Sequence, residues 1–237
     1  MTAVGIVAAL AAEARTLGPR TQRGGRLATL EDGSLICVSG MGAAAAERAG
    51  RALIEAGALG LISWGVAGGL DPALPAGTLL LPTAVTAHAA TAVPTHAAWR
   101  EQLAAAALAA RLPVSRGLLL SSATVFVSVE QKAAAFAATG AVAVDMESFA
   151  VAQLAAAHRL PFISVRAIVD AAADPLPEAL GVASEAGKLP MLRLLLSLAL
   201  RPAGLGALAR LAVRFRAARR TLREAAGTGA LAVPSAS

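Results

Sequence analysis

The stretch Ala141-Val-Ala-Val-Asp145-Met-Glu147-Ser-Phe-Ala-Val-Ala-Gln-Leu-Ala-Ala-Ala-His158-Arg-Leu-Pro161-Phe-Ile-Ser-Val-Arg166-Ala-Ile-Val-Asp170 decides the fold. Ala141–Val144 and Pro161–Ile168 are continuous apolar runs rich in β-branched residues and read as strands, with Glu147–His158 as a helix between them. Strands apolar on both faces around a helix predict a parallel pair inside a sheet covered on both sides. Four ionisable side chains, Asp145, Glu147, Arg166 and Asp170, sit at or near the ends of these elements. Charge in an apolar setting costs several kcal/mol unless it is paired or used, so this is where chemistry is expected.

The same alternation extends outward. Val4–Leu10, Leu35–Ser39, Gly60–Trp64, Gly77–Val85 and Arg116–Ser121 read as further strands, and 42–56, 96–110 and 129–138 as helices. The expected fold is α/β: one domain with a central twisted, mixed but mainly parallel sheet flanked by helices, plus a C-terminal helical extension. Ligands in such folds sit at the C-terminal ends of the strands. That rule gathers Glu13, Ser39–Gly42, Gly65–Gly69, Glu147 and Asp170 around one crevice. Residues 1–187 form the expected main domain, 188–225 the extension and 226–237 a flexible tail.

The extension has a composition of its own. It holds Lys188, Arg193, Arg201, Arg210, Arg214, Arg216, Arg219, Arg220 and Arg223 against Glu224 alone, so the chain's net charge of +6 originates there. Met191–Leu200 and Leu205–Arg223 read as two helices broken at Arg201-Pro202. In the second, Leu208, Leu211, Ala212, Phe215 and Leu222 fall roughly on one face, with the arginines largely on the other.

Several function classes are disfavoured. Every apolar segment is interrupted by Gly, Pro or charge, well short of the roughly 20 residues a membrane span needs. The N-terminus lacks a basic leader and reads as a first strand. Cys37, the only cysteine, permits no intrachain disulfide and reads as a small buried residue. A reducing cytoplasm is expected. His88, His96 and His158 are too scattered for a metal site. Nucleic-acid binding is not expected from a chain with no Tyr, few aromatics and no recognised module. Trp64 and Trp99 are most simply core residues.

Two glycine-rich segments follow strands and read as turns: Ser39-Gly40-Met41-Gly42 and Gly65-Val66-Ala67-Gly68-Gly69. Glycines let backbone approach a ligand closely, but neither segment is a dinucleotide fingerprint or a P-loop. Singly, each acid has a plain structural reading. Glu13 suits a helix start, Asp170 a turn cap and Glu147 the first turn of a helix.

Together, in order and spacing, these segments resemble the nucleoside phosphorylase family, and most nearly the pattern of methylthioadenosine/S-adenosylhomocysteine nucleosidases. Gly5 through Glu13, Ser39–Gly42, Gly65–Leu70, Val144–Glu147 and Val165–Asp170 carry the likeness, which spans about residues 3–175. The resemblance implies a cofactor-free homodimer that cleaves purine nucleosides. It implies that Asp170 protonates or hydrogen-bonds adenine N7 and that Glu13 activates the attacking water. Glu147 would hold the ribose hydroxyls, Met146 would pack under the sugar and Arg166 would lie near the ribose. Ala67, Gly68 and the Val125-Phe126-Val127 stretch would contact adenine. Breaking an N-glycosidic bond builds positive charge on the sugar and negative charge on the purine, so an acid at N7 and carboxylates near the sugar suit the reaction. Asp170 is then expected to have a raised pKa and Glu13 to stay basic.

The chain departs from the phosphorylase pattern in two places. Phosphorylases bring arginines in an early turn and a Ser or Thr near the glycine segment. Here the early turn reads Ala8-Ala9-Leu10-Ala11-Ala12-Glu13 and Val66 stands at the Ser position. Val66 cannot bond phosphate and Glu13 would repel it, which favours water as nucleophile over phosphorolysis. Asp145 stands where Glu is commoner and is expected to be structural.

The second departure is the C-terminal extension. It and the surrounding motifs resemble the hopanoid-biosynthesis-associated branch, which implies adenosylhopane as substrate and ribosyl or phosphoribosyl hopane as product. Leu192, Leu195, Leu196 and Leu198 could then line an apolar channel while the arginines rest on anionic lipid at the membrane's inner face. A non-catalytic nucleoside- or lipid-binding protein is the reading from another class; it has no need of three acids.

Overall fold

The computed structural model describes residues 3–24, 26–87, 90–177 and 202–233. Twelve strands form one sheet: β1 (Val4–Ala8), β2 (Arg20–Gly24), β3 (Leu27–Leu30), β4 (Leu35–Val38), β5 (Gly60–Gly69), β6 (Leu79–Leu80), β7 (Ala84–Ala87), β8 (Val93–Pro94), β9 (Val114–Ser115), β10 (Leu118–Ser121), β11 (Ala141–Asp145) and β12 (Phe162–Asp170). The α-helices among the described residues are α1 (Ala11–Ala14), α2 (Ala43–Glu55), α3 (Ala97–Ala109), α4 (Val129–Thr139), α5 (Ser148–Ala157) and α6 (Pro202–Gly227), and a 3₁₀ turn, Arg15–Leu17, follows α1. The sheet runs β2-β3-β4-β1-β5-β11-β10-β7-β8, with β12 and then β6 and β9 branching from β5. The expected α/β class, with a mixed and mainly parallel sheet flanked by helices, is the observed one.

Strand β5 is the hub, and its pairing creates the site. Along one edge it runs parallel to β12, from Phe162 opposite Leu61 to Asp170 opposite Gly68. On the other edge β1 pairs with it only as far as Ala8 opposite Trp64. There β11 takes over antiparallel, with Val144 opposite Gly68 and Ala143 opposite Gly69. Residues 65–67 therefore face a gap in the sheet, where one neighbour has ended and the next has not begun.

Three strand expectations change. Gly65–Gly69, expected as a turn, continues β5, because β12 pairs with it along one edge as far as Gly68 and β11 takes up Gly68 and Gly69 on the other. Gly77–Val85, expected as one strand, is split into β6 and β7 around Pro82, which has no N–H to give a ladder. The edge hairpin β2–β3 was not foreseen; its first strand is too polar to read as a core run.

Two apolar layers cover the sheet. One joins Ile6, Ile62, Trp64, Trp99, Leu103 and Val165; the other joins Val7, Leu53, Leu61, Leu119, Val151 and Ile168. Both tryptophans are core residues, and Trp64 also donates its indole N–H to Thr16 at 2.9 Å. Cys37 is buried in β4.

Helix α6 belongs to the first layer through Ala218, Leu222 and Ala225, and Leu231 beyond it is buried there too. The sequence's apolar stripe is therefore displaced toward the C-terminus. Leu222 is on it, Leu211 and Phe215 are half-buried, and Ala212 is exposed. Arg210, Arg216, Arg220 and Arg223 are exposed, whereas Arg214 is half-buried. The expected 187/188 boundary, the helix Met191–Leu200 and His88 lie outside the described residues. No helix among the described residues is long and apolar enough to cross a membrane.

Candidate active site

A cavity of about 190 Å³ opens over the gap beside β5. Its wall includes Glu13, Ala67, Gly68, Phe126, Met146, Glu147 and Asp170 from the expected site, together with Asp145, Lys132 and a largely apolar remainder (Leu10, Met41, Val66, Val125, Leu176). Acids separated by more than 100 residues in the chain thus converge as the strand-end rule predicts.

Glu13 is carried by α1, immediately after β1 ends. Its Oε2 accepts the Leu10 N–H at 2.8 Å and its Oε1 the Val66 N–H at 3.0 Å. Val66 lies in the stretch of β5 that has no strand partner on that edge, so Glu13 satisfies a ladder donor left open by the gap. The close approach requires Gly65. A Cβ there would lie 2.6 Å from Glu13 Oε1. Burial pushes the Glu13 carboxyl above the usual range, while Arg166 and the two N–H donors draw it back. Glu13 is thus more basic than an ordinary glutamate.

Glu147 stands at the N-cap position of α5 but gives the helix no side-chain capping hydrogen bond. It accepts the Gly42 N–H at 2.7 Å, tying the Ser39–Gly42 turn to α5 across 105 residues. Gly42 has a φ of +93°, which favours glycine. Of this turn, only Met41 lines the cavity. Burial first, and then the neighbouring Asp145 charge, raise the Glu147 carboxyl to about 7.

Asp170 ends β12 at a register shift after Ile168. It is 1% exposed. Its Oδ2 is held by the ammonium of Lys132. Burial raises its pKa above the ordinary value, and Lys132 is the chief opposing influence. The direction is the one expected for Asp170.

Arg166, expected near the ribose, is not among the residues that line the cavity; it lies behind Asp145, which does. Its Nε and Nη2 reach Asp145 Oδ2 at 2.8 and 2.7 Å, and Nη2 also donates to Ser63 at 2.6 Å and Ser148 at 2.9 Å. The guanidinium is a buried strut beneath the site, paired because an unpaired one would be too costly there. Asp145, its partner, also accepts from Ser121 Oγ and the Ser148 N–H, a structural role as expected. Val127 is not among the lining residues either. Its N–H donates to Gln131 Oε1 at 2.8 Å and its carbonyl accepts the Leu176 N–H at 2.8 Å, so its backbone is already engaged; Thr124, Val125 and Phe126 line the cavity instead.

Lys132 was not anticipated. In sequence it is an ordinary helix lysine, yet it is 1% exposed and the one buried side chain of α4. No His/Cys/Asp/Glu cluster among the described residues could hold a metal ion.

The acids thus gather over a gap at the strand ends of an open α/β sheet, the place where ligands sit in such folds. The chain belongs to the phosphorylase superfamily, whose family model matches residues 4–192. Among solved structures it is similar to the 5′-methylthioadenosine/S-adenosylhomocysteine nucleosidase from Neisseria meningitidis in complex with methylthio-immucillin-A, at 19% identity and a TM-score of 0.73, over 96% of this chain and 98% of that one. It is also similar to the Helicobacter pylori nucleosidase of the same name with butyl-thio-DADMe-Immucillin-A (18% identity, TM-score 0.70, 95% and 97% covered). A third similar structure is the futalosine hydrolase of Helicobacter pylori (18% identity, TM-score 0.68, 94% and 97% covered). No curated protein sequence matches significantly.

Proposed function

We propose that this chain hydrolyses the N-glycosidic bond of a 5′-substituted adenosine, and that adenosylhopane is the substrate, giving adenine and ribosylhopane. One observation carries the reading: Glu13, Glu147 and Asp170, brought from separate elements, line a single cavity whose remaining wall, apart from Asp145, Lys132 and Thr124, is apolar. In this assignment Asp170 delivers a proton to purine N7 and Glu13 takes one from the attacking water. Glu147 and Met146 hold the ribose, and Ala67, Gly68 and Phe126 flank the base. Structural relatives bind methylthioadenosine or immucillin analogues of it, which favours an adenosine with an apolar 5′ substituent. Leu10, Met41, Val125 and Leu176 give the cavity an apolar lining suited to such a group. The exposed arginines of α6 suit an anionic membrane surface, where a triterpene nucleoside would reside, each contributing about 1 kcal/mol near the surface.

Water is favoured over phosphate because the Val66 N–H is already given to Glu13, and an incoming anion would meet the Glu13 carboxylate. The test is adenine release from adenosylhopane, or from an adenosine with a long alkylthio 5′ group, with and without inorganic phosphate. Equal release in both, with free ribosyl product, is expected. Strict phosphate dependence would replace hydrolysis by phosphorolysis, and no release in either condition would leave a binding protein.

A pH effect accompanies the ribose assignment. An ionised Glu147 accepts hydroxyl hydrogen bonds, and with a pKa of about 7 it is progressively protonated as pH falls through neutrality. The KM for the nucleoside should therefore rise several-fold between about pH 8 and pH 6, and Glu147→Gln should raise KM while flattening that rise. A KM profile identical in wild type and variant would remove Glu147 from the ribose.

A further inference from the structure

We propose that Lys132 is a positioning residue for Asp170: it holds the carboxyl by Oδ2, leaves Oδ1 for the purine, and stabilises the carboxylate that remains once the proton has gone to the base. The inference rests on the assignment of Asp170 as the acid and adds a residue to that site.

The geometry is specific. Lys132 is the one fully buried side chain of α4; Ala135 and Phe136, on the same face, are half-buried and pack against Leu70, Leu120 and Ala141, so the ammonium enters the core beside the helix's apolar face. Burying an ammonium costs several kcal/mol unless its donors are met. All three are met here: Asp170 Oδ2, the Ala171 carbonyl at 2.9 Å and the Asp174 carbonyl at 2.8 Å. The start of α4 is fixed by a reciprocal cap, in which Ser128 Oγ accepts the Gln131 N–H and Gln131 Oε1 accepts the Ser128 N–H. Lys132, the next residue, is thereby aimed at the end of β12. With Oδ2 committed, Oδ1 is the oxygen available to a ligand in the cavity that both residues line.

The charge matters in the reaction itself. As C1′–N9 breaks, its electron pair goes to the purine and the Asp170 Oδ1–H proton goes to N7. The water oxygen bonds to C1′ and gives its proton to Glu13. Asp170 finishes as a buried carboxylate. Without a cation beside it that product would be strongly disfavoured, and Asp170 would be too weak an acid.

The other charged groups around Asp170 among the described residues do not supply this. Asp174, in the following loop, is itself acidic; Arg214 from α6 pairs with Asp174 at 2.7 Å and lowers the Asp170 pKa less than Lys132 does. Arg166, on the same strand, is paired with Asp145. Glu13, Glu147 and Asp145, elsewhere on the cavity wall, are acids.

The test is the pH dependence of kcat for adenine release by wild type and three variants. Lys132→Met removes the charge and the donors. Lys132→Gln removes the charge but can still donate to the loop carbonyls. Lys132→Arg keeps a charge. Met and Gln variants are expected to lose kcat about tenfold or more at pH 7, with the alkaline limb displaced upward by about one pH unit or more, while KM changes little. The Arg variant should keep the limb near its wild-type position. Should Lys132→Met not fold, the Gln variant decides alone. A Gln variant with the wild-type limb overturns the proposal and leaves Lys132 as a clamp on the 171–174 loop. Asp170→Asn separates the two readings: if it stays active, the acid assignment has failed; if it is inactive while the Gln limb is unmoved, only the role of Lys132 has failed.

Discussion

Asp170→Asn is expected to lower kcat for adenine release by about three orders of magnitude, with the fold retained and KM changed far less. A positioned general acid contributes roughly 10²- to 10⁴-fold. The substitution keeps the size of the side chain and its place at the end of β12. An amide nitrogen could still hydrogen-bond N7, so binding persists, but it has no proton to transfer. Its carbonyl can still receive Lys132, although a neutral acceptor meets a buried ammonium less well than a carboxylate does. Some loss of thermal stability should therefore accompany the loss of turnover. Circular dichroism and melting separate the two effects, and steady-state kinetics on a 5′-substituted adenosine gives the decisive number. Activity within tenfold of wild type in a folded Asp170→Asn protein would remove Asp170 from the acid role.

The parts of this site that sequence exposes are those where charge contradicts its surroundings. Asp145, Glu147, Arg166 and Asp170 stand out because their neighbours are Ala, Val and Ile, and the strand-end rule then groups them with Glu13. The same contrast cannot tell which charges face a ligand. Arg166 and Glu147 are equally conspicuous in sequence, yet one is a strut under Asp145 and the other lines the cavity. The difference lies in strand parity and in which carboxylate lies beside each group, facts of three-dimensional pairing. Lys132 is invisible for the opposite reason. Val-Glu-Gln-Lys at a helix start is what a solvated surface helix shows, and its partner Asp170 is 38 residues away. Gly65–Gly69 misleads because glycine signals both turns and close approach; here β11 and β12 keep it extended and Glu13 explains the glycine. The stripe on α6 was legible as a period, but the layer it enters, against Trp99 and Leu103, was not.

Glu13→Gln should be nearly as damaging, with kcat lowered by about 10²- to 10⁴-fold and little change in KM. The carboxylate does two jobs that one amide cannot. It accepts N–H groups from Leu10 and Val66 on separate oxygens, and in the proposed mechanism it must also take a proton from water. Glutamine offers one acceptor and one donor group, so either Leu10 or Val66 faces an NH₂ in place of an oxygen. The side chain must turn or one donor must go unmet, at a cost of about 1–3 kcal/mol. The pH profile gives an independent check. Burial lifts Glu13 above the ordinary carboxyl range, so the active, ionised form is lost as pH falls through that raised value, at a higher pH than for an exposed glutamate. The variant has no such group, and its residual rate should lack that acid limb while keeping any fall due to Glu147. The substitution also removes the negative charge set against an incoming anion. If the variant gains rate on addition of phosphate while the wild type does not, the carboxylate is what reserves this site for water. If Glu13→Gln hydrolyses its substrate within tenfold of wild type, water is activated by some other group and the choice of nucleophile has to be argued again from the phosphate side.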